Sequence, residues 1–295
     1  MSTPVKHLGI VVGVDDSPAS NAATCWAARD AAMRNIPLTV VSVVTTPTTT
    51  YPPVPYPDSL GTWLEEKGRK AAAHAVKIAE DAMLTDRKVT VKSEVVLSTP
   101  AQALIKMSDE AEMVAVGSSG KGALARGVLG SVSSTVVRHA NCPVAVIRDE
   151  DLLVPDPQHA PVLLGIDGSE ASELATAIAF DEASRRGADL VALHAWSDVT
   201  VYELPGLDWS AVGSEAERNL AETLAGWQER YPDVTVQRVV VCDRPARQLI
   251  EKSESAQLLV VGSHGRGGFN RMMLGSVSNT VVHSVRIPVI VARPS

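Results

Sequence analysis

Short apolar runs rich in valine, leucine and isoleucine alternate along the chain with longer segments of mixed polar and apolar residues. Such runs predict strands of a parallel sheet, because helices cover both faces of a parallel sheet and leave its strands buried. The predicted strands are 8–14, 38–44, 91–97, 112–117 and 143–148 in the first half, and 161–167, 189–195, 235–241, 257–262 and 288–293 in the second. Strands that alternate with helix-length segments indicate βαβ units.

The segments between the runs carry helix signals. Ser17 and Pro18 are residue types that favour the start of a helix, and the Ala-rich sequence after them predicts a helix as far as Asn35. Residues 62–84 place charged side chains on one side of a stripe of Ala, Leu, Val and Ile, which predicts an amphipathic helix. A further helix is predicted to begin at Ser131. Together with the strands, these helices indicate a doubly wound α/β fold.

The second half of the chain repeats the first half. Four segments recur in the same order: 9–18 as 162–171, 35–44 as 187–196, 95–105 as 239–250, and 117–137 as 262–282. Within the last pair, GSVSSTVV at 130–137 and GSVSNTVV at 275–282 differ at one position of eight. A chain of 295 residues with this internal repeat predicts two tandem domains, 1–150 and 161–295, joined by an acidic and Pro-rich linker at 151–160.

Composition and charge limit the function classes. Hydrophobic residues make up 45% of the chain but aromatic residues only 4%, so small aliphatic side chains must fill the cores. The net charge is −7 and no basic patch points to nucleic acid. Without a signal peptide pattern or an apolar run of membrane-spanning length, we expect a cytoplasmic protein with no membrane insertion. The three cysteines lack disulfide or zinc spacing, which favours a reducing compartment and predicts no metal site.

A glycine-rich stretch follows the fourth predicted strand of each half. Both stretches place two glycines three residues apart and a Gly-Ser pair at the start of the next helix: Gly117, Gly120, Gly130 and Ser131, then Gly262, Gly265, Gly275 and Ser276. In doubly wound sheets, ligands bind at the carboxyl ends of the strands, where the winding reverses. Glycine permits positive φ and close backbone approach, so N–H groups can converge on a phosphate beside a helix N-terminus. An ordinary surface loop is the alternative, but conservation of the same positions in both copies favours an anion site.

Neither stretch is a Walker A loop or a dinucleotide-binding G-x-G-x-x-G motif. The spacing G-x2-G-x9-G-[ST], present twice, and the sequences VGVDDS and LGIDGS after the first strand of each half resemble the universal stress protein family. The resemblance covers essentially the whole chain and is to a tandem two-domain, ATP-binding member. It implies an adenine nucleotide alpha hydrolase-like fold, in which each doubly wound domain has a five-stranded parallel sheet flanked by helices.

The resemblance also implies one ATP site per domain. Asp15 and Asp167 would approach the adenosine, the backbone around Val41 and Ala192 would face the adenine, and the glycine loop would hold the phosphates. The nucleotide-binding residues expected are Gly13, Asp15, Val41, Gly117, Gly120, Gly130, Ser131, Val132 and Ser133, then Gly165, Asp167, Ala192, Gly262, Gly265, Gly275, Ser276, Val277 and Ser278. Mg2+ can enter with ATP, although no protein metal cage is predicted. Alternatively, each aspartate only caps the following helix, together with Ser17 or Ser169.

Two further features leave alternatives open. The Pro-rich segment 45–63 connects the second strand to the second helix and is interpreted either as a lid or as a stiff surface excursion. His264 lies inside the second glycine stretch, but Ser119 occupies the matching position of the first stretch. We therefore interpret His264 as a variable loop residue.

Three classes of function remain. The chain could be an ATP-binding regulatory or signalling protein of the stress response, a weak ATPase or phosphotransferase, or a chaperone-like structural protein with empty sites. Phosphoryl transfer needs a positioned base or a water-orienting residue, and none is shared by the two glycine stretches. The sequence therefore favours ATP binding with little or no turnover and predicts no catalytic residue. We also expect a homodimer and an unidentified regulatory protein partner.

Overall fold

The computed structural model describes residues 7–45, 59–83, 88–120, 129–149, 160–195, 209–265 and 274–294. These residues form two compact units, which divide after Asp149 and are called unit 1 and unit 2 below. All but the last residue of the predicted linker, most of the Pro-rich segment and the interiors of both glycine stretches lie outside the described residues.

Unit 1 contains five strands and four helices. In chain order they are β1 (Ile10–Val14), α1 (Pro18–Arg34), β2 (Leu38–Val44), α2 (Leu60–Ala82), β3 (Val91–Leu97), α3 (Pro100–Met107), β4 (Met113–Gly117), α4 (Ser131–His139) and β5 (Val144–Ile147). The strands lie in the order β3-β2-β1-β4-β5, and every neighbouring pair is parallel. The winding reverses between β1 and β4.

Unit 2 repeats this arrangement. Its elements are β6 (Val162–Gly165), α5 (Glu170–Arg186), β7 (Leu190–Ala195), α6 (Trp209–Arg230), β8 (Val236–Val241), α7 (Pro245–Ser253), β9 (Leu258–Gly262), α8 (Ser276–Ser284) and β10 (Val289–Ala292). Its strand order, β8-β7-β6-β9-β10, is that of unit 1, again with parallel pairs. The predicted doubly wound arrangement of five parallel strands is therefore confirmed in each unit.

The first helix of each unit is capped at both ends, and that of unit 1 lies within its predicted limits. Ser17 caps α1 by accepting a hydrogen bond from the Ser20 amide, and the Ser20 hydroxyl completes a capping box. Ser169 caps α5 by accepting a hydrogen bond from the Ser172 amide. At the other end, Asn35 and Gly187 adopt the left-handed conformation, with φ of 54° and 60°, which is common after a helix.

Each of these helices also carries a buried ion pair at the same position. The side chains of Asp30 and Glu182 are 0% exposed, and each lies 2.7 Å from the arginine one turn later, Arg34 or Arg186. A buried carboxylate without such a partner is strongly destabilising, so the arginine is required wherever the acid is present.

The two helices α3 and α7 were not predicted from the sequence. Both are short, with eight and nine residues, and both have a proline in the first turn. Such short segments hold few turns of hydrophobic periodicity, so the pattern that identifies longer helices is weak there. Their position matters for the site, because Leu104 of α3 and Leu249 of α7 pack beside the first strand of each unit.

Candidate functional site

The carboxyl ends of β1 and β4 lie side by side where the winding of unit 1 reverses. β1 continues into the turn that contains Asp15, and β4 ends at Gly117, the first residue of the glycine stretch. In unit 2, β6 leads to Asp167 and β9 ends at Gly262 in the same relation. Sheet topology thus brings the two predicted motifs together in each unit, at the place where open α/β sheets bind ligands.

The aspartate after the first strand supports the turn into the helix. One carboxylate oxygen of Asp15, Oδ1, accepts the Ser17 N–H at 3.1 Å. In unit 2, Oδ1 of Asp167 accepts the Ser169 N–H at 3.0 Å. The helix cap itself is the serine, so each aspartate shapes the turn and is not the cap.

The second carboxylate oxygen lies against the second glycine of the loop. A Cβ atom built on Gly120 would lie 2.8 Å from Oδ2 of Asp15, and a Cβ on Gly265 would collide with Oδ2 of Asp167. Any side chain at either position would therefore displace the carboxylate. Neither glycine has a positive φ, so space, and not left-handed backbone, is the reason for glycine here.

The first glycine of the loop has a different neighbour. A Cβ on Gly117 would lie 2.6 Å from the carbonyl carbon of Ala19, and a Cβ on Gly262 would lie 2.9 Å from that of Ala171. These contacts are with backbone at the start of α1 and α5. Gly117 and Gly262 thus allow the first helix to pack closely on the end of the fourth strand.

Gly13 and Gly165 also have a packing role. A Cβ on Gly13 would lie 2.7 Å from a methyl carbon of Leu104, and a Cβ on Gly165 would lie 3.1 Å from one of Leu249. Both glycines therefore face the third helix of their unit, close to the strand end where the aspartates lie.

Two hydrogen bonds close each glycine stretch. The Gly130 N–H donates to the Ser118 carbonyl at 2.7 Å, and the buried Ser133 hydroxyl donates to the Gly117 carbonyl at 2.6 Å. The corresponding bonds of unit 2 join Gly275 to Ser263 at 2.8 Å and Ser278 to Gly262 at 2.6 Å. Ser133 and Ser278 thus tie helix to strand, and their hydroxyl hydrogens are already donated.

We expect Ser133→Ala to destabilise unit 1 by about 1–2 kcal/mol, because the carbonyl of buried Gly117 loses a hydrogen-bond donor. Urea denaturation followed by circular dichroism measures this change. Ser134→Ala, one residue along the same helix, is the control, with an expected change below about 0.5 kcal/mol. Equal losses for the two variants would contradict the role assigned to Ser133.

The helix after the loop begins at an exposed serine. Ser131 and Ser276 are exposed, Val132 and Val277 are half-buried, and Gly130 and Gly275 precede them as N-caps that provide no side-chain cap. The first N–H groups of a helix without a cap are open to an anion, which the helix dipole also favours. These helix starts therefore suit a negatively charged group.

The strand beside the first one carries the residues whose backbone is expected to face the adenine. Val41 pairs with Gly13 and Glu94 inside the ladder, and the side chains of Val41 and Ala192 are fully buried. The backbone contact with adenine stays a prediction. Ala192 pairs with Leu164, and Leu193 is the register equivalent of Val41. The alignment of 35–44 with 187–196 also pairs Val41 with Leu193, so Ala192 lies one residue before the equivalent position.

When the pairing register of β1 with β2 is continued one residue past its last pair, Val43 lies beside Asp15. In unit 2 the continued register places Ala195 beside Asp167. Val43 and Ala195 are half-buried, whereas Val41 is buried.

The cap serines also contact the loop backbone. The Ser17 hydroxyl donates to the Ser119 carbonyl at 3.5 Å, and the Ser169 hydroxyl donates to the His264 carbonyl at 3.2 Å. The ring of His264 is 2.9 Å from the Ser263 hydroxyl through Nδ1. The start of the glycine stretch is thus bonded to the cap of the first helix in both units, whichever side chain is present at position 119 or 264.

Across the ranges that the structure describes, no group of three or more His, Cys, Asp or Glu side chains is arranged to hold a metal ion. Within the same ranges, no helix combines the length and apolar character needed to cross a membrane.

Comparison with known proteins shows which family has this arrangement. The model of the universal stress protein family matches residues 9–148 and 159–293. A universal stress protein of Mycobacterium tuberculosis is 68% identical over 295 residues, which cover 100% of both chains. Another from that organism is 56% identical over 295 residues, which cover 100% of this chain and 99% of the relative. The crystal structure of a universal stress protein from Archaeoglobus fulgidus has the same fold, with a TM-score of 0.72 at 20% identity, covering 100% of this chain and 99% of that chain. The chain therefore belongs to the universal stress protein family.

Proposed function

We propose that each unit binds one ATP and that the protein is a cytoplasmic regulator of the stress response whose output depends on nucleotide occupancy. The observation that carries this proposal is the contact between the strand-end carboxylate and the loop glycine, present in both units. Asp15 lies against Gly120, and Asp167 lies against Gly265. The carboxylate and the loop thus form one site in each unit, at the reversal of the winding.

The charges of the site determine how a nucleotide would lie. A carboxylate accepts hydrogen bonds from ribose hydroxyls but repels phosphate, so the adenosine belongs beside Asp15 or Asp167. The phosphates belong at the opposite side, where Ser131 or Ser276 begins a helix without a side-chain cap. A nucleotide in this orientation would donate hydrogen bonds to the carboxylate from its ribose and place its negative phosphates at the positive end of a helix dipole.

Mg2+ would enter this site on the phosphates. The described residues offer no cluster of three metal-ligating side chains, and a phosphate-bound Mg2+ typically keeps several waters and few protein ligands. ATP with Mg2+ is therefore the form we propose.

Slow turnover is part of the proposal. Hydrolysis needs a group that orients the attacking water, and the loop of unit 2 has His264 where unit 1 has Ser119. Asp15 and Asp167 are shared by the two units, but in the proposed orientation they lie beside the adenosine, away from the phosphates. A regulatory protein partner that distinguishes the filled from the empty site, and a homodimer, complete the proposal.

The proposal is tested by releasing bound nucleotide from purified protein with acid and identifying it by mass spectrometry. Nucleotide-free protein is then titrated with ATP and Mg2+ in a calorimeter, and the expected result is two sites per chain. We expect a turnover below about 1 s⁻¹, the low end of ordinary enzyme rates. Absence of adenine nucleotide together with absence of heat would overturn the proposal, whereas faster turnover would favour the ATPase.

A further inference from the structure

The turn between the first strand and the first helix differs between the units. In unit 1 its central residue is Asp16, with φ of 63°, and in unit 2 it is Gly168, with φ of 77°. Glycine adopts this left-handed conformation without cost, while a residue with a Cβ is strained there. The left-handed turn of unit 1 therefore costs more than that of unit 2, and a contact that holds Asp16 would offset the difference.

Such a contact exists in unit 1. His74, in the middle of α2, lies with Nδ1 at 2.9 Å from Oδ1 of Asp16, and the two residues are 58 positions apart in sequence. The side chains are 51% and 41% exposed, so the pair is weak in itself but connects two separate elements. Gly168 has no side chain with which a corresponding residue could pair.

The position of Asp16 connects this contact to the candidate site. Asp16 lies between Asp15, whose carboxylate contacts Gly120, and Ser17, whose amide donates to that carboxylate. A change in the backbone of Asp16 rotates the peptides on both sides of it and moves the Asp15 carboxylate relative to the loop.

We infer that His74 is a positioning residue of the unit 1 nucleotide site, which holds Asp16 in the left-handed turn and so fixes the Asp15 carboxylate. The inference rests on the proposed function. Unit 2 reaches the same turn with glycine, so its site does not depend on α6 in this way. The two sites of one chain thus differ in their coupling to the second helix.

The experiment uses the full chain with Gly265→Val, which closes the unit 2 site by displacing the Asp167 carboxylate. ATP affinity of the remaining site is measured by calorimetry in the presence of Mg2+. We expect His74→Ala to weaken ATP binding about threefold to tenfold. This range combines the loss of a partly exposed ion pair with the backbone strain that the pair offsets in the left-handed turn. His74→Gln, which keeps a donor, is expected to restore most of the affinity.

Asp16→Gly supplies the decisive control, because it gives unit 1 the turn residue of unit 2. We expect Asp16→Gly alone to change affinity less than about twofold, and His74→Ala to have no further effect in that background. In the variant with Asp16 present, His74→Ala should also raise the exchange rate of the Ser17 amide, which donates to Asp15.

The other possible results contradict either the inference or the proposed function. If His74→Ala weakens binding equally with and without Asp16→Gly, His74 acts on the nucleotide directly and the inference is wrong. Unchanged affinity in His74→Ala would also overturn it. If the unsubstituted chain produces no heat with ATP, the proposed function itself fails, which separates the two failures.

Discussion

Gly120→Ala is expected to weaken ATP binding at unit 1 by about 10-fold to 100-fold while leaving the unit folded. The new Cβ would lie 2.8 Å from Oδ2 of Asp15, so the carboxylate must move away from the loop. Loss of a hydrogen bond to a charged group is typically about 1.5–3 kcal/mol, which corresponds to this change in affinity. The fold is spared because the displaced atom is the end of an exposed side chain.

Calorimetry with ATP and Mg2+ measures the effect, and Gly265→Ala is the same test in unit 2. With both substitutions in one chain, we expect no binding at concentrations that saturate the unsubstituted protein. Gly226→Ala is the matched control, because nothing lies within 4 Å of a Cβ at that helical position. It should keep both sites and stabilise α6 by up to about 1 kcal/mol. Retained affinity in Gly120→Ala would show that the carboxylate does not contact the nucleotide.

Gly117→Ala is expected to destabilise unit 1 by about 3 kcal/mol. Here the new Cβ would lie 2.6 Å from the backbone of Ala19, and a helix cannot rotate aside as a side chain can. Overpacking of this kind typically costs about 1–3 kcal/mol, and backbone contact places Gly117 at the upper end. Any loss of ATP binding in this variant would follow from the displaced helix.

Gly262, the equivalent glycine of unit 2, is expected to show a smaller effect. A Cβ on Gly262 would lie 2.9 Å from Ala171, so Gly262→Ala should destabilise its unit less than Gly117→Ala does. Urea denaturation of the two variants, followed by circular dichroism, provides the comparison. Unchanged stability with lost ATP binding in both variants would instead mean that these glycines contact the phosphates, as the sequence alone suggests.

The strands and the first helices were predictable because local signals determine them. The ten apolar runs became strands within two residues of their predicted ends, and Ser17 and Ser169 cap the helices that follow. The internal repeat strengthened each assignment, since both units had to satisfy the same pattern. Sheet topology then followed from the alternation of strands and helices.

The reasons for individual residues were less predictable. Glycine spacing indicated a loop, but only the structure shows that Gly117 faces the backbone of a helix and Gly120 a carboxylate. Similarity between segments aligns Val41 with Leu193, and the strand register gives the same equivalence. The bond between His74 and Asp16 joins residues 58 positions apart, and no local pattern connects them.

The two bonds that close each glycine stretch have a consequence for how the halves of the chain can change. Gly130 and Ser133 are held to residues 118 and 117 by bonds that use no side chain between residues 119 and 129. KGALARGVL in unit 1 and RGGFNRMML in unit 2 have diverged between these anchors. The closing bonds of a duplicated protein can thus persist while the sequence between them varies, and the two halves can acquire separate specificities while they keep one architecture.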